Sequence, residues 1–350
     1  SSMNQTINGI RRILITILVA MGVGALFIVA IGENPIDAYA ALFRGAFDGK
    51  LRLGTTLAGF TPLLLTSIAF AVAAKAGAFN VGVEGEVFLG GITAAYIGIN
   101  WTFLPKPALY VACFVGAMVV AAAWAFIPAV LRAYYNVNEV CTTILMNTVA
   151  LYITSYLVSG PMSAGTANAQ SLPVTVRLYQ FMKPSSVNVG IFIAAITVIV
   201  IIFMLQKSSW GYKIRTVGLN PTHADYVGID SKKVFVGAMM LSGMLGGMAG
   251  CIEVLGVHGY FLNNFATGLG SNGMLAALIV KNNMVSTPFM AFFLAVLKSG
   301  AMGMQQSTGV PKSLVDTITA VFIIIATMET AFQFTKKRKK KTEEKKEDKA

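Results

Sequence analysis

Charge is what this sequence has least of. Only 12% of its 350 residues are Asp, Glu, Lys or Arg, roughly half the share usual in a soluble domain. Histidine occurs twice, as His223 and His258, far apart and in no motif. The three cysteines, Cys113, Cys141 and Cys251, lie in or beside apolar runs, where cysteine is at home as a small buried residue. Neither a disulfide framework nor metal-ligand spacing is present. No HExxH, aspartate pair or Ser–His arrangement stands in the apolar runs, which argues against an intramembrane enzyme. A phosphate-binding loop is missing as well. Its nearest approach, "GAFDGKL" (45–51), has three residues between the glycines and Leu51 where Ser or Thr would hold Mg²⁺.

Apolar residues are abundant instead, at 55% of the chain. Ten hydrophobic segments stand out, near 13–31, 54–74, 79–100, 108–131, 139–159, 188–206, 234–256, 269–281, 286–304 and 314–334. Most are long enough to cross a hydrocarbon core of about 30 Å as helices. In lipid only helices and closed barrels satisfy their backbone groups, and these runs are too long for barrel strands. The expected fold is therefore all-α and polytopic, with about ten transmembrane helices. The eighth segment is short and is expected to be broken or re-entrant. Residues 1–334 form the transmembrane domain, and 335–350 read as a disordered tail.

Basic residues set the orientation. Arg11 and Arg12 precede the first segment, Arg132 follows the fourth, and Lys207, Lys213, Arg215, Lys232 and Lys233 crowd 207–233. With ten crossings these fall on one side, which the positive-inside rule makes cytoplasmic. Both termini are then cytoplasmic, in a cell inner (plasma) membrane. The 160–187 loop is external, with only Arg177 and Lys183. Arg44, Lys50 and Arg52 argue the other way for 33–53, and the larger count decides. Nine of the 27 basic residues fall in the last 15 positions. Beside a final span, such a tail reads as an anchor against anionic lipid, not as a nucleic-acid site.

Within the 207–233 loop, "RTVGLNPTHADYVGID" (215–230) is polar and turn-prone. Asn220 is an N-cap, Pro221 suits the first helical position, and Gly228 ends the helix after about two turns. A capped helix there reads either as a solvated turn or as a docking element for a cytoplasmic partner. Elsewhere, Glu139, Thr143 and Asn147 are spaced i, i+4, i+8, so they share one helix face, with Thr142 and Met146 beside them. That stripe suits either pathway lining or interhelical hydrogen bonding. Glu253 and Lys298 are intramembrane charges and so candidate functional groups. "SGMLGGMAG" (242–250) holds two overlapping GxxxG spacings, for close helix packing. Gly82 and Gly85 flank Glu84 at the start of the third segment, where charge is favoured by the helix dipole. No arginine falls inside a segment, so an anionic solute lacks fixed positive charge along its route.

The stretch "GLNPTHADYVGI" (218–229) resembles the cytoplasmic signature of ABC-importer permeases of the branched-chain amino acid and simple-sugar superfamily. Gly218, Asn220, Pro221, Ala224, Gly228 and Ile229 match, and His223 departs from the pattern. "AGAFNVGVEGEVFLGG" (76–91), through Asn80, Gly82, Glu84 and Gly85, is similar to the nucleoside-type branch, as are "NEVCTTILMN" (138–147) and "STGVPKSLVD" (307–316). The resemblance covers most of 55–330. It implies two related halves, a coupling helix at 220–228, and the permease subunit of a nucleoside importer. It also implies a second permease, a cytoplasmic ATPase carrying ATP and Mg²⁺, and an extracytoplasmic binding protein, with no enzyme activity or cofactor in this chain. Glu139, Thr142, Thr143, Asn147 and Lys298 are then pathway candidates, and Asn80, Gly82, Glu84 and Gly85 support the gate. The alternatives are a ribose-type permease and a secondary transporter driven by protons through Glu139 or Glu253.

Overall fold

The computed structural model describes residues 18, 21–30, 32–308, 313, 314, 316, 317 and 320, and among them helices occur without any strand. In chain order the helices are α1 (Met21–Ala30) and α2 (Pro35–Phe47), then α3 (Gly49–Lys75), α4 (Val83–Asn100), α5 (Lys106–Tyr135) and α6 (Glu139–Ser159). There follow α7 (Gly190–Lys207), α8 (Ser209–Leu219), α9 (Pro221–Tyr226), α10 (Ser231–Ile252), α11 (Leu269–Ile279) and α12 (Thr287–Thr308). A π-helical segment, Glu253–His258, continues α10.

Six of these helices are long and apolar enough to cross a membrane, or seven if α1 and α2 form one bent span. The expectation of about ten is not reproduced among the described residues. Helix α4 has 18 residues but is not one of the six, since Glu84 and Glu86 interrupt its apolar character. Helix α11 has only 11 residues, in keeping with the short eighth segment. Most of 314–334, and the whole 335–350 tail, lie outside the described residues.

The chain divides into two units. In the first, up to Phe47 and from Leu297 onward, α2 buries Ala38, Ala41, Leu42, Gly45 and Ala46. Their i, i+3, i+4, i+7, i+8 spacing makes one helical face. Gly45 lets the backbone at Gly300 and Gly303 approach so closely that a Cβ would lie 2.8 Å from both. The sequence reading left this segment as an external connection.

The second unit, Asp48–Val296, is organised around α10, which packs against α3, α4 and α5. Its overlapping GxxxG spacings serve two different neighbours. Gly243 and Gly247 face Ala121 and Ala117 of α5, while Gly246 and Gly250 face Glu86 and Val87 of α4. Absent side chains there let backbones meet, and dispersion contacts accumulate without any need for polar groups.

The 160–187 connection has no helix but is well tied down. Val174, Val176 and Leu178 are buried, alternating with exposed neighbours. The amides of Val174 and Leu178 donate to the carbonyls of Gly259 and Leu255. Arg177 and Gln180 donate side-chain bonds to Val257 and Gly256 carbonyls, at 3.3 and 2.8 Å. Carbonyls displaced by the π-helical turn thus find partners, which an irregular helix needs in order to persist.

Candidate functional site

Local sequence builds the first element. The Ser208 hydroxyl accepts from Gly211 N at 3.0 Å and starts α8, whose buried side is Gly211, Ile214 and Val217. Asn220 ends α8 and caps α9: its Oδ1 accepts from His223 N at 3.0 Å. Pro221 occupies the first turn, where its missing N–H costs nothing. Gly228 follows with φ +82°, a conformation that disfavours a Cβ. The capped helix read from 220–228 is present, and a second helix, α8, precedes it.

These two helices are mounted firmly on the apolar bundle. Ala224 is fully buried, and Ile229 nearly so. The Asp225 carboxylate accepts from both the backbone N–H and the hydroxyl of Ser231, each at 2.9 Å, joining α9 to the first residue of α10. Asp230 in turn caps α10 by accepting from Lys233 N at 3.0 Å. That backbone bond, with the Lys233 ammonium beside it, holds the Asp230 carboxyl below its ordinary value. Gly218 lies against the Lys75 carbonyl at the end of α3, where a Cβ would not fit. Outward, Leu219 and Tyr226 stand 88% and 86% exposed, and Val227 and Tyr212 are exposed as well. Sequence reasoning missed these apolar projections, because exposure of a single Leu or Tyr has no sequence signature.

The second element is a buried polar junction. The Asn80 amide donates to Glu86 Oε1 and to Ser242 Oγ, both at 2.9 Å, while Asn80 Oδ1 accepts from Gly82 N at 2.9 Å. Ser242 is the twelfth residue of the 28-residue apolar stretch Ser231–His258, about 17 Å along it at 1.5 Å per residue. Helix α4 therefore begins well inside the bundle, and residues 76–82 carry the chain there without helix. The Glu84 carboxylate accepts from Gly268 N at 3.1 Å and faces Ser271 Oγ at 3.5 Å, so it meets the N-terminus of α11. Two helix N-termini thus converge on acidic side chains, the placement favoured by the helix dipole. Glu86 is enclosed, and its Oε2 has no hydrogen-bond partner among the described residues. Sequence reasoning set Glu86 beside Glu84 at this helix entry without making it a site residue, and it did not single out Ser242.

Helix α6 closes the junction. Asn147 Oδ1 accepts from Gly85 N at 2.7 Å, and its amide donates to Val81 O at 2.8 Å. Thr143 is buried, with its Cβ 3.2 Å from where a Gly82 Cβ would be. Asn147 thus bonds to α4, while the Thr143 hydroxyl donates within α6 to Glu139 O at 2.7 Å. Glu139 instead pairs with Arg132 at 3.2 Å across the short α5–α6 turn, and the Thr142 hydroxyl bonds to Asn138 O within α6. Glu253 lies 3.7 Å from His258 within the π-helical segment. Lys298 is exposed on α12 and belongs to the first unit.

A multi-span helical protein with a rigidly mounted surface helix at one end, and interrupted helices meeting in its interior, has the form of a membrane transport subunit. The chain belongs to the family of branched-chain amino acid transport system permease components, which it matches over residues 52–327. It is 33% identical to the guanosine ABC transporter permease protein NupP of Bacillus subtilis, over 94% of this chain and 96% of that one. Identity to the nucleoside ABC transporter permease protein NupB of Lactococcus lactis subsp. cremoris is 30%, over 92% and 91% of the two chains. The glucose ABC transporter permease protein TsgB13 of Haloferax volcanii is 32% identical, over 89% and 85%.

Proposed function

We propose that this chain forms the translocation path of an ATP-driven nucleoside importer and receives the motion of a separate ATPase through α8 and α9. The observation that carries the reading is the mounting of α9. A six-residue helix exposing Tyr226 is joined by Asp225 to α10, and α8 is packed on the end of α3. A push on α9 is transmitted to two central helices with little slack, because close-packed interiors do not absorb strain softly. The partners of this reading are the ATPase, a second permease related to this one, and an extracytoplasmic binding protein. The termini and the α8–α9 loop are cytoplasmic, and 160–187 is external. Asn80, Glu84, Thr143 and Asn147 hold the inner gate, where α4, α6 and α11 meet.

Nucleosides are favoured over sugars by the names of two of these relatives and by the family branch of 76–91 and 138–147. The glucose permease among the relatives keeps a sugar as the second reading. Uptake of labelled uridine into proteoliposomes is expected to need ATP and the partner chains, and to survive collapse of the proton gradient. Uptake driven by a proton gradient without ATP would overturn the importer reading. ATP-dependent glucose or ribose uptake that uridine cannot compete away would overturn only the solute.

A further inference from the structure

At the end of α4 remote from the polar junction, the side chains of α4, the last turn of α6 and the following loop enclose a cleft of about 360 Å³. Thr93, Tyr96 and Asn100 line one wall, three and four residues apart and so on one face of α4. Leu157, Met162 and Leu172 stand in the rest of the lining. Among the described residues, no Asp, Glu, Lys, Arg or His borders it. We infer that this cleft is a subsite for the neutral, planar base of a nucleoside entering or waiting on the path. The inference rests on the nucleoside reading above and adds a location and a set of contacts to it.

Three features support that occupant. The volume and the mostly apolar lining with a few polar groups are those of small-molecule sites. Tyr96 is 49% exposed, so its ring offers a stacking face, a contact every base can make. Asn100 donates its amide to Tyr96 O at 2.9 Å, and a side-chain amide pairs naturally with the donor–acceptor edge of a base. Thr93 spends its hydroxyl proton on Leu89 O at 2.7 Å, so toward the cleft it presents an acceptor.

The cleft is also pre-formed. Met162 N donates to Leu157 O at 2.8 Å, and Ala164 N to Gln170 O at 2.9 Å. Bridges at Ser163–Ser171 and Gln170–Leu262 pin the loop further. Little ordering is left for the ligand to impose, which favours binding.

The test is uridine uptake by the complete complex in proteoliposomes, with binding of labelled uridine to the purified complex measured alongside. Asn100→Ala, Tyr96→Ala and the cleft-filling Leu157→Trp are each expected to raise the uptake KM and the binding Kd about tenfold, with a smaller change in maximal rate. Tyr96→Phe, which keeps the ring, should restore most of the affinity. Val119→Ala, on the exposed side of α5, serves as the control. Gel filtration and co-purification with the ATPase show which variants are folded. Wild-type KM and Kd in folded variants of all three kinds would overturn the cleft alone. So would a bound lipid, seen by native mass spectrometry, that Leu157→Trp expels while uridine binding is unaltered. No uridine uptake by the wild-type complex would defeat the nucleoside reading and the cleft's ligand with it.

Discussion

Asn147 and Gly85 are joined by a hydrogen bond of 2.7 Å across 62 residues of sequence. With its other hand, the amide donated to Val81 O, Asn147 satisfies both a donor and an acceptor at a helix start that opens inside the bundle. Replacing it by leucine leaves the N–H of buried Gly85 and the carbonyl of half-buried Val81 without that partner. A cost of about 1–3 kcal/mol per unsatisfied group is expected. Asn147→Leu should therefore lower the melting temperature of the purified protein, and Asn147→Asp, which keeps the acceptor, should lower it less. Equal melting of wild type and both variants would remove the junction from the account of stability.

Tyr226 is exposed and Ala224 buried on the same short helix, so changes at the two should have different consequences. Tyr226→Ala is expected to leave folding within about 0.5 kcal/mol, yet to weaken ATPase assembly by roughly 2 kcal/mol if it is an interface anchor. Ala224→Arg should disturb the mounting itself and uncouple hydrolysis from uptake. Co-purification with the ATPase, read beside uptake, checks both. Normal assembly and transport in both variants would show that α9 does not couple.

Gly228→Val places a β-branched residue at φ +82°. The strain is expected to cost about 1–3 kcal/mol, concentrated at the end of α9. Thermal unfolding should shift down modestly while the coupling between ATP hydrolysis and uptake falls steeply. Loss of stability without loss of coupling would assign Gly228 a purely structural part.

The GxxxG faces predict a graded series. Gly250→Ala and Gly247→Ala each put a methyl into backbone of a neighbouring helix, and overpacking costs typically about 1–3 kcal/mol. Leucine at either position should abolish monodisperse protein on fluorescence-detected gel filtration. Gly59→Ala, where no atom lies within 4 Å of the added Cβ, should behave as wild type.

Orientation is checked by labelling intact cells, after the exposed Cys141 is changed to serine. A cysteine at Ser163 should react with an impermeant maleimide, and one at Thr222 should not. The reverse pattern would invert the topology.

Short-range features were legible in the sequence because their physics is short-range. The Asn220 cap acts three residues away, Pro221 and Gly228 act on their own backbone, and the GxxxG spacing lies within one helix. Segments such as 139–159 matched a helix because a run of apolar residues has no other way to satisfy its backbone in lipid. Helix α8 escaped notice because only Gly211, Ile214 and Val217 are buried, too few to make an apolar run. Helix α2 did so because its buried face is largely alanine and glycine. The tertiary structure alone decided which way the polar stripe turned. Asn147 points toward α4 because the groups it satisfies, at Gly85 and Val81, are brought there by a non-helical stretch, and Thr143 packs beside Gly82 on the same face. The bonds from Glu84 to Gly268 and from Asn80 to Ser242 span 184 and 162 residues. Periodicity within one segment carries no information about which distant backbone group will need a partner, so these contacts exist only once the helices have packed.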